Sequence, residues 1–206
     1  MLLKNGLKMV CSIHKPDFFP TFPFFQKMNN SDVFVILHTG KFNKGGTHNR
    51  FRLKGKTKNL NALTVSNYKT EPINKKSYLN PIIDFEDIKK NLPDYRYLLR
   101  HFDTLIQYKN KKLWDLNSQI IQQLCFLLSI DHKKIKYTYP VSKDYTHQLI
   151  IICKYYNCKT YLTQQEEKRF LDIKLFKHYG IKLKFQKENT LIKKPILEYI
   201  KDAKIA

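Results

Sequence analysis

With 206 residues, 42% of them apolar and 14% aromatic, the chain has ample material for a buried core, which excludes intrinsic disorder. Thirty-eight Lys and Arg against 17 Asp and Glu give a formal net charge of +21, which attracts polyanions or anionic membrane surfaces. The basic residues are 33 Lys and only five Arg, whereas planar readout of phosphates or base edges favours Arg, so the charge attracts polyanions without specifying one.

Residues 9–13 form a short apolar run of strand type. Pro16, Pro20 and Pro23 then punctuate an aromatic turn. A helix is expected from about Thr21, with Pro23 tolerated in its first turn and Phe24, Phe25 and Met28 facing inward. The cluster Asn29-Asn-Ser-Asp32 reads as a turn. Residues 33–37 are apolar without a break, as in a strand buried on both faces of a parallel sheet. Residues 41–58 carry seven Lys and Arg and no acid; within them 49–53, and after them 60–65, predict paired strands around a turn at Gly55-Lys56. Residues 67–81 read as a proline-bounded loop.

Helices are predicted over 84–91, with Asp84 or a neighbour as cap, over 94–108, and over 113–130. The last of these repeats Leu113, Leu116, Ile120, Leu124 and Leu127 at helical spacing. A strand over 134–139, a helix over 144–157 and a strand over 159–162 follow. Short helices over 166–171 and 173–179, the latter with Gly180 at its C′ position, precede a strand over 181–185 and a helix at 196–200. This order predicts an α/β fold: a mostly parallel sheet flanked by helices, with a β-hairpin and a helical insertion over 84–130, in one domain spanning 1–206.

The four cysteines include no CxxC pair, and the Cys153-x4-Cys158 spacing is a poor zinc pattern, so a reducing, cytoplasmic compartment is expected. The first ten residues lack the apolar region of a signal peptide. The longest apolar run, near 149–153, is too short for a transmembrane segment, so any membrane contact is expected to be peripheral.

His14 follows the first strand and precedes Pro16, at the carboxyl end of a parallel strand where open α/β sheets bind ligands. There it can donate to a phosphate or act as acid or base near neutral pH. His38 follows the second strand in the same way, and His48 lies in the basic loop. No Asp, Glu or Cys stands at ligand spacing from these histidines, so neither a metal nor another cofactor is expected. The stretch from Lys41 to Arg50 offers Lys44, Asn49, Arg50 and the backbone donors of Gly45 and Gly46 as an anion cradle, without the order of a Walker loop. Phe18, Phe19, Phe22, Phe24 and Phe25 read as core rather than as a base-stacking surface. Thr163 reads as a helix cap with Glu166 three residues later, a capping box; a helix N-terminus at a strand end also suits an anion.

Taken in order, these stretches resemble the WbqC-like proteins. The resemblance rests on His14 and Pro16, Phe18-Phe-Pro20, Phe24-Phe-Gln26, Asp32-Val-Phe-Val35, and Lys44 with Asn49-Arg50. It continues through Asp115-Leu-Asn117, Leu127-Leu-Ser-Ile130, Leu149-Ile-Ile-Ile-Cys-Lys154, Thr160-Tyr-Leu-Thr163, Tyr179 to Gln186, and Pro195-Ile-Leu-Glu198. The chain departs from the family pattern at three places. His14 or its neighbour stands where the family has Gln, His38-Thr39 where it has an acidic pair, and Thr163 to Glu167 where it has a Ser-Gly turn of small residues. A Trp and a His of the family's middle segment have no counterpart, since Trp114 lies elsewhere.

The resemblance implies an enzyme of bacterial surface-polysaccharide biosynthesis, of the O-antigen and lipopolysaccharide type. It would be a transferase acting on a sugar carried on a nucleotide or lipid diphosphate. Lys44, Asn49 and Arg50 would hold the anion, with His38 beside them; His14 would be the acid or base; Thr163 and Gln186 would line the far wall. The alternative is a basic protein that binds nucleic acid non-specifically or accompanies DNA modification, as in a phage. The scarcity of Arg and the absence of a familiar nucleic-acid motif weigh against it.

Overall fold

The computed structural model describes residues 9–51, 53, 61–66, 71–107, 112–138, 142, 144–186 and 195–203. Strand β1 (Val10–His14), helix α1 (Phe22–Asn29) and strand β2 (Val33–Leu37) open it. Two short strands, β3 (Arg50–Phe51) and β4 (Asn61–Ala62), precede helices α2 (Pro81–Asn91), α3 (Arg96–Arg100), α4 (Asp103–Ile106) and α5 (Leu113–Leu127). Then come β5 (Ile135–Thr138), α6 (Tyr145–Tyr155), β6 (Thr160–Gln164), α7 (Ile173–His178), β7 (Lys182–Gln186) and α8 (Ile196–Asp202). The expected turn at Gly55-Lys56 lies outside the described residues. No helix of the described residues is long and apolar enough to cross a membrane.

The chain divides into two compact units. One comprises Met1–His14, Gln26–Leu37 and Lys133–Thr190; the other comprises Lys15–Phe25, His38–His132 and Leu191–Ala206.

The first unit is built on a five-stranded sheet in the order β5-β2-β1-β6-β7, and every pairing in it is parallel. All five residues of β2 are buried, as its unbroken apolar run requires. On one face Cys11, Ile13, Val33, Val35 and Tyr161 pack with Leu149 and Cys153 of α6 and Phe176 of α7. Within that layer Cys153 and Cys158 press on Cys11. Hydrogen bonding to both thiols, with burial, holds Cys11 well above the usual thiol range, which suits small core hydrophobes. Helix α6 starts at Asp144, whose carboxylate accepts from the His147 N–H. It ends with Asn157 at φ 53° and the Cys158 N–H bonded to the Cys153 carbonyl at 2.7 Å. Gly180, at φ 69°, closes α7 in the same manner and takes the C′ position expected of it.

In the second unit β3 and β4 pair antiparallel, as the hairpin pattern predicts. Phe18, Phe19, Phe51, Phe85 and Phe102 form a buried aromatic cluster with ring centroids about 5–6.5 Å apart. Phe18, Phe19, Phe24 and Phe25 are buried, in keeping with a core role.

Three local expectations need correction. The single helix over 94–108 is broken into a 3-10 turn at Pro93–Tyr95 followed by α3 and α4. The His101 N–H tightens back to the Leu98 carbonyl, which swings Phe102 into the aromatic cluster against Phe19. Asp84 does not cap α2, because Pro81 stands in the first turn and the Asp84 carboxylate instead accepts the Thr64 N–H. Nor does Thr163 open a helix. It belongs to β6, and its hydroxyl donates to Glu167, so the capping box with Glu166 is not formed.

Candidate functional site

In the first unit the chain leaves β1 toward β2 and β5 on one side, and β6 and β7 lie on the other. Adjacent β1 and β6 therefore mark the point where the strand order reverses, and open α/β sheets bind ligands beyond the carboxyl ends of strands at such a point. The two strands pair only at Val10–Thr160 and Cys11–Tyr161, whereas β6 and β7 stay paired through Gln164–Gln186. Past Cys11 the buried Ser12 hydroxyl donates to the Leu162 carbonyl at 3.0 Å and accepts from the Ser31 hydroxyl at 2.7 Å. Side chains thus replace the ladder where the sheet opens.

His14 stands at that carboxyl edge, opposite Ile36 of β2. Gln186 ends β7 and donates to the Gln26 side-chain carbonyl at 2.8 Å. Strand alternation puts His14 and Gln186 on one face and Thr163 on the other, because Thr163 is in register with Phe185 and Gln164 with Gln186. The structure therefore puts His14 and Gln186 at the same edge and on the same face, with β6 between their strands, and Thr163 on the other face. Just beyond β6 a surface cleft of about 540 Å³ is lined by Gln165, Glu166, Lys168, Arg169 and Ile173, adding two cations to the same edge.

In the second unit the basic loop is more tightly organised than its composition suggests. Asn43 accepts the Gly45 N–H on its side chain and the Gly46 N–H on its carbonyl, so these backbone donors are spent within the loop and form no anion nest. The cationic side chains remain, with Lys44 exposed and Arg50 half-buried. Asn49 is buried. Its amide donates to the Leu63 carbonyl at 2.8 Å while its own carbonyl accepts the Leu63 N–H, which extends the β3–β4 pairing by one residue. His38 is buried with its ring 4.9 Å from that of Trp114. The one Trp, placed nowhere by its sequence position, thus meets an expected site residue.

An arrangement that sequence spacing did not disclose lies behind this loop. His48 Nδ1 is 3.0 Å from the Asp17 carboxylate, and both residues are buried. An ionised carboxylate only accepts hydrogen bonds, so Nδ1 carries the proton and Nε2 the lone pair in the neutral ring. The two segments that carry the pair are bound together. The Phe18 N–H donates to the Thr47 carbonyl at 2.9 Å. The wholly buried Asn117 amide donates to the Pro16 carbonyl at 2.9 Å and to the His48 carbonyl at 2.7 Å. The Tyr78 hydroxyl, in turn, donates to the Asn117 side-chain carbonyl at 2.7 Å. Burial pushes the Tyr78 phenol well above its ordinary pKa, so it stays a donor. Phe19, two residues from Asp17, holds φ 50°, a left-handed conformation uncommon for an aromatic residue.

One signal for this network was present in the chain. Asn117 falls on the apolar stripe of α5, four residues after Leu113 and three before Ile120, where a polar residue needs buried partners. Among the described residues no group of three or more His, Cys, Asp or Glu side chains is placed to hold a metal ion.

Searches of curated proteins and of solved structures returned no match. The WbqC-like protein family matches residues 15–194. That span covers the aromatic turn, the basic loop, the helical segment and the strands β5, β6 and β7. On this match, most of its length, the chain belongs to the WbqC-like protein family.

Proposed function

We propose that this protein transfers a group on an activated sugar during bacterial surface-polysaccharide biosynthesis, and that its cationic groups hold the nucleotide or lipid diphosphate of that sugar. The observation that carries the reading is the opening of the sheet between β1 and β6, at the point where the strand order reverses. Family membership supports the polysaccharide context. In this reading His14 is an acid or base at the sheet edge and Gln186 orients the sugar. Lys44 and Arg50 neutralise phosphate charge, and Asn49 holds Arg50 in place through the hairpin. Within the second unit His38, its ring tilted against Trp114, accompanies Lys44, Asn49 and Arg50 in binding the anion, and in the first unit Thr163 fixes the turn that carries the Lys168 and Arg169 cleft. The protein acts in the cytoplasm, and its charge of +21 draws it to anionic membrane surfaces when the sugar is lipid-linked.

A thermal-shift screen against nucleotide sugars and single-stranded DNA, at low and physiological salt, tests the reading. A sugar at about 100 times its Kd stabilises the native state by about 2.7 kcal/mol, or roughly 5–10 °C for a chain of this size. That shift is expected to survive physiological salt and to shrink in Arg50→Ala. A shift given only by DNA, and erased by salt, would instead favour the reading in which the net charge is the function.

A further inference from the structure

We propose that Asp17 and His48 are a general-base dyad in which His48 Nε2 takes the proton of a sugar hydroxyl. The inference deepens the proposed function and takes its substrate class from it.

Stability alone does not account for the pair. A buried carboxylate loses its hydration, and replacing such pairs by apolar residues is often neutral or stabilising. Here the carboxylate is buried beside an imidazole at 3.0 Å, from a position 31 residues away in the chain. The carboxylate holds Nδ1–H, directs the lone pair to Nε2 and balances the imidazolium once it forms. The remaining contacts fix relative position. Asn117 grips the carbonyl before Asp17 and the carbonyl of His48 itself with a single amide, and Phe18 to Thr47 ties the same two segments again. Such a support holds a base to a fixed direction. The imidazole keeps 7% of its side-chain surface open. In the step assigned to the dyad the hydroxyl O–H bond breaks, its electron pair stays on the oxygen, and the proton moves to Nε2.

Carbethoxylation by diethyl pyrocarbonate, mapped by peptide mass spectrometry, tests this because the reagent needs an accessible, unprotonated ring nitrogen. His48 is expected to react in the folded protein, with the exposed His132 and His178 as internal references. Asp17→Asn is expected to slow His48 by about tenfold, because without the carboxylate nothing holds the proton on Nδ1 and the lone pair on Nε2, and to leave the references unchanged. A rate at His48 indifferent to Asp17→Asn would overturn the dyad. Should that variant not fold, the wild-type reaction decides: a His48 that stays unmodified until urea unfolds the chain overturns the proposal, and one that reacts in the native state supports it. Protection of His48 by UDP-glucose or dTDP-glucose places it at the sugar. Reactivity without protection by any nucleotide sugar supports the dyad and sinks the sugar reading.

Discussion

Asn117→Asp is expected to cost at least about 4 kcal/mol of stability, a large part of the roughly 5–15 kcal/mol that a domain has. The wild-type amide donates to the carbonyls of Pro16 and His48 from a fully buried position. Aspartate keeps the shape and still accepts from the Tyr78 hydroxyl, but it has no proton for either carbonyl. The Pro16 carbonyl then loses the amide, at about 1–3 kcal/mol, the His48 carbonyl keeps only the longer 3.3 Å approach of the Tyr78 hydroxyl, and a buried carboxylate faces both. Asn117→Ala removes the repulsion but leaves the Pro16 carbonyl without the amide and leaves Tyr78 and the His48 carbonyl only each other at 3.3 Å, so a loss of about 2–4 kcal/mol is expected. Urea unfolding of the three proteins measures this directly. A cost near 1 kcal/mol for Asn117→Asp would mean that solvent reaches the network and that it does not fix the Asp17–His48 geometry.

Above about pH 10 the two buried phenols Tyr78 and Tyr161 are expected to contribute roughly 2.7 kcal/mol per pH unit to the loss of stability, about 1.4 kcal/mol each. Burial pushes Tyr78 and Tyr161 well above the ordinary tyrosine pKa. The unfolded chain gives up these protons near pH 10 while the folded chain keeps them. The stabilisation is therefore complete below the unfolded pKa and falls as pH climbs toward the folded values. Each of Tyr78→Phe and Tyr161→Phe should remove about 1.4 kcal/mol per pH unit from the slope of stability against pH above about pH 10, in unfolding curves recorded between about pH 9 and 11.

At neutral pH the two substitutions should differ in sign. Tyr78→Phe breaks the 2.7 Å bond to Asn117 and costs about 1–2 kcal/mol. The Tyr161 hydroxyl lies beside Thr163 without a hydrogen bond of ordinary geometry among the described residues, while its ring stacks on Phe176 at 5.5 Å. Tyr161→Phe keeps that stack and removes a buried polar group, so no loss, or a gain of up to about 1 kcal/mol, is expected. Equal losses in the two variants would show that Tyr161 has a partner of its own.

Much of the sheet was readable along the chain because the signals are local. The unbroken run at 33–37 can only be buried on both faces, and alternation together with Asp and Gly punctuation marks β5, α6, α7 and β7. The place of His14 at the carboxyl end of a parallel strand was readable because that end is defined by the strand itself. The breaks between α3 and α4 were not readable, because apolar spacing over 94–108 is helical and only the demand of the aromatic cluster for Phe102 interrupts it. Thr163 followed by Glu166 satisfies a local cap rule, but continued pairing of β6 with β7 through Gln164 keeps Thr163 in a strand.

By itself the sequence determined the order of strands and helices, the parallel α/β class and the excess of positive charge, since these depend on periodicity, turn residues and composition. Tertiary structure alone decided which distant polar side chains meet. Asp17, His48, Tyr78 and Asn117 are spread over a hundred residues and follow no spacing rule. They meet because a buried amide must satisfy its donors, and the carbonyls that accept from it belong to the two loops that carry the carboxylate and the imidazole.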